Sequence, residues 1–223
     1  MIILKNISKS YKNYNILDNI SLEINNGDIV GIMGRSGCGK STLLNIIGLL
    51  DFPDEGKYYL NNKSIENATN KEITLLRRNK IGFIFQDYAL IKDRNVYYNI
   101  SIPLICKKIQ KKEIANKVQN IANQLKITKL LNKYPYELSG GECQKVSIAR
   151  ALIRNPSLIL ADEPTGALDI NSELEILNIF RELNKQGVTI IIVTHNYEVA
   201  KICGKIYTIK NKKVIEYNEK NLL

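Results

Sequence analysis

The feature that most constrains this chain is a glycine-rich segment, residues 34–42, which reads Gly-Arg-Ser-Gly-Cys-Gly-Lys-Ser-Thr. It matches the pattern G-x-x-x-x-G-K-[ST] in full, and it stands between a predicted strand, Ile29–Met33, and a predicted helix at residues 43–50. Glycines let the backbone wrap closely around a phosphate with its N–H groups pointing inward, and the dipole of the following helix adds to the attraction. This context predicts a site for the phosphates of a nucleoside triphosphate.

This phosphate loop (residues 34–42) supplies side-chain as well as backbone contacts. Lys40 reaches the β- and γ-phosphates of such a ligand, and the Ser41 hydroxyl is able to ligate Mg²⁺. The candidate nucleotide-binding residues of the loop are Gly34, Arg35, Ser36, Gly37, Cys38, Gly39, Lys40, Ser41 and Thr42. A phosphate loop alone does not tell which reaction is driven, so the rest of the chain has to identify it.

Strand-like and helix-like stretches alternate along the chain, and this order predicts an α/β fold around a parallel sheet. Residues 157–161 and 188–193 are continuous apolar runs, which is typical of parallel strands buried on both faces. Amphipathic helices are predicted at residues 114–125 and 172–183, and a further helix at 143–153. The other predicted strands cover residues 2–7, 20–24, 29–33, 57–60, 81–85 and 214–215.

Composition excludes several classes of protein. The chain has 223 residues, of which 44% are hydrophobic and 24% charged, so it has the composition of a globular protein and not of a disordered one. No apolar run approaches the ~18–20 residues that a membrane span needs, and the start of the chain does not resemble a signal peptide. The four scattered cysteines form no CxxC pair, which indicates free thiols in a reducing compartment. We therefore expect a soluble chain that is not exported by the signal-peptide route.

Positive charge is concentrated in one stretch of the sequence. The formal net charge is +10, and residues 107–133 contain eight lysines but a single acid, Glu113. Such a stretch fits nucleic acid, an anionic lipid surface or a charged protein partner. A solvated helix face also explains it, and this is the interpretation that we favour.

Two acids end the apolar run that begins at residue 157. At the carboxyl end of a strand beside the phosphate loop, Asp162 is able to hold Mg²⁺, usually through water. Glu163 would then project toward the γ-phosphate and polarise an attacking water. Acids are also common where a strand simply exits to solvent, so the nucleotide role depends on the presence of Lys40.

Residues 138–142, Leu-Ser-Gly-Gly-Glu, form a second notable segment, here named the signature segment. Ser139 and Glu142 have the S-x-x-E spacing of a capping box, which predicts a well-capped helix. A capping box does not need two glycines between its members. Gly140 and Gly141 would expose backbone N–H groups at the helix start, which is a second candidate site for an anion.

In their order along the whole chain, these motifs resemble those of the ATP-binding cassette (ABC) ATPases. The resemblance implies an α/β fold with a P-loop core and parallel sheet, an N-terminal antiparallel β-subdomain and an inserted α-helical subdomain at roughly residues 87–156. Residues 1–223 would form a single ABC ATPase domain. The matching segments are residues 34–42, 84–87, 138–142, 160–163, 166–169 and 194–195.

The resemblance also implies site roles, with ATP and Mg²⁺ as cofactors. Two cassettes pair head to tail, and each ATP lies between the phosphate loop of one chain and Ser139, Gly140 and Gly141 of the other. Asp169 lies at the seam between the chains, and Tyr11 matches the aromatic residue that stacks on adenine. The residues implied in catalysis are Glu163, His195 and Gln86, and those implied in metal binding are Ser41, Gln86 and Asp162.

Within the family, residues 48–53 and the signature segment resemble the branch that serves lipoprotein release, macrolide export and antimicrobial-peptide export. Residues 85–91 and 96–99 are most similar to bacteriocin-export cassettes. The chain departs from the branch at three positions. Tyr98 stands where many members have Glu, Cys143 where Gln is usual, and Lys145 where Arg is usual.

The resemblance implies two partners, a separate membrane permease and a second cassette. We expect a homodimer with ATP between the two chains, although the sequence does not tell whether the two cassettes are identical. We expect the chain to be cytoplasmic and peripheral on the inner face of the cell membrane, and we expect no nucleic acid partner. Two alternatives stay open, namely a soluble ABC ATPase that acts on nucleic acid or ribosomes and a cassette that drives a mechanical task without a transported solute. The sequence does not identify the transported substrate, because specificity lies in the permease.

Overall fold

The polypeptide forms two sheets flanked by helices in the computed structural model, which describes residues 1–105 and 109–217. The strands are β1 (Ile2–Tyr11), β2 (Tyr14–Ile24), β3 (Ile29–Met33), β4 (Glu55–Leu60), β5 (Lys63–Ser64), β6 (Ile81–Ile84), β7 (Leu158–Asp162), β8 (Thr189–Val193), β9 (Lys205–Lys210) and β10 (Lys213–Glu216). The helices are α1 (Lys40–Ile47), α2 (Asn70–Lys80), α3 (Val96–Ile105), α4 (Lys111–Gln124), α5 (Gly140–Leu152), α6 (Ile170–Lys185) and α7 (Tyr197–Ala200). Short 3₁₀ turns cover Thr128–Leu130 and Pro135–Glu137.

The larger sheet positions the functional groups. In the described part of the chain it has six strands in the order β10-β9-β3-β8-β7-β6, and the strands from β9 to β6 run parallel. Every residue of β8 and all but the last residue of β7 are buried. This confirms the prediction, made from the apolar runs, that these strands are buried on both faces. Because β3, β6, β7 and β8 are parallel, the segments that follow them emerge at the same edge of the sheet.

The N-terminal sheet is antiparallel, as the family resemblance implies. Its strand order is β2-β1-β4-β5 within the described residues, and the amide of Asp18 donates to the carbonyl of Lys212 at 2.9 Å, which joins it to the β9–β10 turn. β1 and β2 are longer than predicted. Asn6 and Asn19 adopt positive φ at irregularities in the pairing, and these interrupt the apolar alternation from which strand length is read.

Helices α3, α4 and α5 follow one another between β6 and β7 and form the inserted helical subdomain. An apolar cluster, which includes Val96, Ile100, Val118 and Val146, packs these helices together. No helix within residues 1–105 and 109–217 is both long and apolar enough for a membrane span. The fold class predicted from the sequence is therefore confirmed.

Helix starts differ from the predicted ones for a local reason. α1 begins at Lys40 and α5 at Gly140, each about a turn before the first periodic apolar residue, because the glycine turns lead directly into the helix. α2 was not predicted, since Ile73 is its single buried residue. Its signal was the capping box of Thr69 and Glu72, whose reciprocal hydrogen bonds measure 3.3 and 2.8 Å.

Gly48 gives a direct test of the packing behind the phosphate loop. A Cβ at this position would lie 2.1 Å from Cζ of Phe83 and 2.9 Å from Cδ1 of Leu160. We expect Gly48→Ala to lower the free energy of unfolding by about 1–3 kcal/mol, measured by urea denaturation. Gly204→Ala is the control, because the nearest atom of the described residues to its new Cβ would be the Ile29 carbonyl oxygen, at 3.9 Å. Equal stability of the two variants would contradict the tight contact at Gly48.

Candidate functional site

A cleft of about 490 Å³ opens at the carboxyl edge of the central sheet. The phosphate loop follows β3, Gln86 follows β6, Glu163 follows β7 and His195 follows β8, so the parallel topology gathers residues far apart in sequence. The cleft is lined by Ile16, Ser36, Gly37, Gly39, Lys40, Ser41, Thr42, Gln86, Asp162, Glu163 and His195. All of these except Ile16 were singled out from the sequence. Ile16 had no distinguishing signal there, because it is an ordinary strand residue.

All three glycines of the loop have positive φ, a backbone conformation that other residues avoid. Gly37 and Gly39 have φ of 77° and 105°, and apart from its two chain neighbours no described residue has a heavy atom within 4 Å of a Cβ built on Gly37. Gly39 is the N-cap of α1, and it provides no side-chain hydrogen bond to the first turn. The first turn of α1 thus has no side-chain cap, and Gly39, Lys40, Ser41 and Thr42 line the cleft, which is the arrangement of an anion site at a helix start.

Lys40 places a cation at the base of the cleft. Its side chain is buried, and Nζ donates to the carbonyl oxygens of Gly34 at 2.9 Å and Arg35 at 3.1 Å. These two bonds compensate the desolvation of the ammonium group and fix its position. Arg35 and Cys38 face away from the cleft, toward a neighbouring cavity beside β9, so only part of the loop faces the candidate ligand.

Asp162 and Ser41 form the candidate metal-binding pair. Burial raises the pKa of Asp162 above its ordinary value, and the hydrogen bond from the Ser41 hydroxyl and the charge of Lys40 only partly oppose this rise. Carboxylate and hydroxyl oxygens are ligands that Mg²⁺ prefers. Among the described residues, no three His, Cys, Asp or Glu side chains converge as a metal cluster. The pair thus fits Mg²⁺ bound together with phosphate and water, not an all-protein cage.

The carboxylate of Glu163 is held by two residues that follow β8. Its Oε1 lies 2.7 Å from Nδ1 of His195, and its Oε2 accepts from the Thr194 hydroxyl at 3.1 Å. Glu163 has φ of 46°, an uncommon conformation for a residue other than glycine, and its amide donates to the Val193 carbonyl at 2.8 Å. Strained backbone of this kind concentrates at functional sites. The arrangement holds a carboxylate inside the cleft and an exposed imidazole at the rim.

Tyr11 lies beside the cleft and does not line it. Its hydroxyl donates to Asp51 at 2.5 Å, and this bond together with burial raises the pKa of the phenol. The Lys9 ammonium stands 5.3 Å from the centre of the ring. The hydroxyl also interacts with Thr42, a cleft residue. Sequence reasoning singled out Tyr11 but missed Lys9 and Asp51, which become its neighbours only through folding.

The signature segment and Asp169 do not contribute to the cleft of the same chain. Ser139 and Glu142 form the predicted capping box, with hydrogen bonds of 3.2 and 2.9 Å. Asp169 caps α6 by accepting from the Ser172 amide at 3.0 Å and its hydroxyl at 2.7 Å. A Cβ on Gly141 would lie 2.6 Å from the Ser172 hydroxyl oxygen. The starts of α5 and α6 therefore lie side by side and form one surface apart from the cleft.

The raised pKa of Asp162 predicts a conflict between stability and function. When folding raises the pKa of a carboxyl, ionisation of that carboxyl lowers the free energy of unfolding. This loss of stability is absent below the ordinary pKa and complete above the raised pKa. We expect Asp162→Asn to melt at a higher temperature than the wild type at pH 7 without nucleotide. The same variant should lose Mg²⁺-dependent ATP turnover. Its thermal advantage should shrink as the pH falls toward 4, and a lower melting temperature at pH 7 would contradict the role of burial.

The chain is similar to known proteins over nearly all its length. The family model described as "ABC transporter" matches residues 17–166. The chain is 42% identical to the lipoprotein-releasing system ATP-binding protein LolD of Aquifex aeolicus (strain VF5), over 95% of this chain and 94% of that protein. It is 44% identical to the macrolide export ATP-binding/permease protein MacB of Campylobacter jejuni (serotype O:2), over 99% of this chain but 34% of that protein.

Other matches differ in direction of transport or are solved structures. The chain is 41% identical to the methionine import ATP-binding protein MetN of Francisella tularensis (strain OSU18), over 97% of this chain and 63% of that protein. The dimeric structure of MJ0796, a bacterial ABC transporter cassette, has a TM-score of 0.89 at 40% identity and covers 98% of both chains. A dimeric post-hydrolysis state of MJ0796 bound to ADP and Pi is equally similar, with a TM-score of 0.89. The chain belongs to the ABC transporter family and is an ATP-binding, ATP-hydrolysing subunit of that family.

Proposed function

We propose that this cassette uses ATP hydrolysis to drive export or removal of a peptide, lipoprotein or drug-like substrate through a separate membrane permease. The hydrolysis rests on one observation, the Glu163 carboxylate held by His195 and Thr194 in the cleft that Lys40 and the loop glycines also line. Export is favoured by the motifs at residues 48–53 and by the similarity to LolD and MacB. In this proposal residues 1–223 act as a single domain with residues 87–156 as its helical subdomain.

The geometry of the cleft supports separate roles for its residues in phosphate binding, metal binding and activation of water. The loop N–H groups and the Lys40 ammonium bind the β- and γ-phosphates of ATP. Ser41, Asp162 and Gln86 would hold Mg²⁺, which when bound neutralises charge on the phosphate oxygens. Glu163 orients the attacking water and accepts its proton, and His195 orients Glu163 and contacts the γ-phosphate. In this proposal Gln86, which lines the cleft, senses the γ-phosphate, and Tyr11 beside the cleft stacks on the adenine.

A second copy of the chain completes the site in this proposal. Ser139, Gly140 and Gly141 begin a helix outside the cleft. The Ser139 amide already donates to the Glu142 carboxylate, so the N–H groups of Gly140 and Gly141 are the ones available to a phosphate bound by another chain. Asp169 begins the adjacent helix, and Ile170 and Leu174 leave an apolar stripe there with 78% and 51% exposure. Exposed apolar residues beside polar helix starts suit a protein interface. Head-to-tail pairing of two identical chains would cover this surface.

A groove between α2, β6, α3 and α5 is the docking surface we propose for the permease. It combines apolar side chains with guanidinium groups, which suits an amphipathic segment that carries carboxylates. Tyr98, which stands where many relatives have Glu, lies nearby on α3 with its ring 5.2 Å from the Arg94 guanidinium. We name this surface the arginine groove, because its lining includes Arg77, Arg78, Arg150 and Arg154. Docking there would hold the chain at the inner face of the cell membrane.

The basic stretch at residues 107–133 is only partly described. Lys107 and Lys108 lie outside the described residues. Lys111 and Lys112 are exposed at the start of α4, and Lys117 pairs with Glu113 at 2.9 Å across one turn. This arrangement is that of a solvated amphipathic helix, and the proposal therefore assigns no nucleic acid partner to it.

Co-purification tests the proposed partner. The tagged chain, extracted in mild detergent from cells that carry its neighbouring genes, should retain an integral membrane protein through washes of moderate salt. Reversing the groove charges with Arg77→Glu and Arg78→Glu should release that protein, whereas the control Lys111→Glu and Lys112→Glu should not. Nucleic acid that is retained at low salt and lost at high salt would contradict the transporter assignment and favour the nucleic-acid alternative.

A further inference from the structure

The segment that follows Gln86 turns through two uncommon backbone conformations in succession. Tyr88 and Ala89 have φ of 60° and 47°, and neither residue is a glycine. L-residues avoid this left-handed region because Cβ approaches the following carbonyl oxygen. Two such residues in a row persist only where the surroundings hold them. Ala89 is exposed, so its methyl group gains no burial that would offset this cost.

One side chain of α5 holds the turn. Arg150 donates from Nη2 to the Tyr88 carbonyl at 2.7 Å and from Nη1 to the Ala89 carbonyl at 2.5 Å. The planar guanidinium offers both donors in a fixed fork, and each carbonyl belongs to a left-handed residue. A lysine in its place has a single nitrogen and cannot reproduce this fork.

The same turn also contacts the start of α5. A Cβ built on Gly140 would lie 3.0 Å from the Tyr88 hydroxyl oxygen and 3.4 Å from Cδ2 of Leu168. The Gln86 loop therefore meets α5 twice, at Gly140 through the phenol and about three turns later through Arg150. Gln86 itself lines the cleft. The turn thus connects the cleft of its own chain with the signature segment.

We propose that Arg150 is a positioning residue that fixes the left-handed turn at Tyr88 and Ala89, and that through this turn it sets both Gln86 in the cleft and the Tyr88 phenol against Gly140. The inference rests on the proposed function, in which Gln86 serves the ATP of its own chain and Gly140 that of the partner. Arg150 touches neither nucleotide in this account. The turn that Arg150 holds makes the position of Gln86 in one ATP site depend on the position of Gly140 in the other site.

ATP turnover by the chain without a permease tests this role. We expect Arg150→Met and Arg150→Lys to lower kcat about 10-fold or more, because misplacement of a group at the reacting centre by about 1 Å is sufficient for such losses. Binding of a fluorescent ATP analogue to the phosphate loop should stay unchanged. Lys145→Met is the control, since it removes the same charge from the same helix together with an ion pair to Glu175 at 2.5 Å. Its kcat should match the wild type.

Rescue by glycine separates positioning from general destabilisation. Ala89→Gly removes the Cβ that makes the turn unfavourable, so in the Arg150→Met background it should recover kcat about threefold or more without restoring the melting temperature. Alone, Ala89→Gly should change kcat less than about twofold, because the turn is already held. Unchanged kcat in both Arg150 variants, or no recovery in the double variant, would overturn the inference. Absence of turnover in the wild type would instead refute the proposed function.

Discussion

Replacing Glu163 by glutamine is expected to leave ATP binding intact and to lower turnover by a factor of about 10² or more. The amide keeps the shape of the carboxylate and can still contact Thr194, but it cannot accept a proton from water. The 2.7 Å contact between Oε1 and Nδ1 of His195 would be altered as well, since an amide and an imidazole pair differently from a carboxylate and an imidazole. Phosphate release under saturating ATP and Mg²⁺ measures the loss, and a fluorescent ATP analogue measures the retained binding.

The same variant should also accumulate as a dimer. If hydrolysis normally separates the two chains, blocking it leaves ATP between them, and light scattering with ATP and Mg²⁺ should give twice the monomer mass. Glu182→Gln is the control, because Glu182 is exposed and pairs with the neighbouring Lys185 at 2.8 Å, on the solvent face of α6. A Glu163→Gln variant that hydrolyses ATP at the wild-type rate would remove Glu163 from the proposed role.

Ser139→Arg is expected to abolish turnover while the phosphate loop of the same chain still binds ATP. In the proposed dimer the new side chain would occupy the space in which the partner's γ-phosphate lies. Ser139→Ala provides the necessary comparison, because it removes the cap of α5 without adding bulk and should lower the free energy of unfolding by about 1 kcal/mol. If Ser139 served only as a helix cap, stability would fall in both variants and kcat in neither.

The central sheet and the cleft were largely predictable because their signals are local. Apolar runs mark β7 and β8, and the phosphate loop has a fixed spacing of glycine, lysine and serine. Once the strands are parallel, their carboxyl ends must share one edge. The convergence of Gln86, Asp162 and His195 follows from that topology.

Features that depend on contacts distant in sequence were not predictable. The Asp51 partner of Tyr11 and the Arg150 clamp on Ala89 exist only after the chain has folded, and neither pair has a characteristic spacing. α2 has three apolar residues, Ile73, Leu75 and Leu76, all in its middle, so it lacks the repeated apolar period from which helices are read. The two roles of the signature segment also remained unresolved in the sequence, because a capping box and an anion site share the same residues.

In the proposed dimer each ATP site is built from two chains, and a mixing experiment tests this composite site most directly. Ser139→Arg blocks the signature segment, and Lys40→Ala removes the cation of the phosphate loop. Each variant alone should therefore be inactive. In a mixed dimer one site combines the altered phosphate loop of one chain with the altered signature segment of the other. The second site combines the two unaltered segments and is intact. Random pairing at equal amounts should therefore restore about a quarter of wild-type turnover, since half of the dimers are mixed and each has one working site. A mixture as inactive as its components would contradict the composite site.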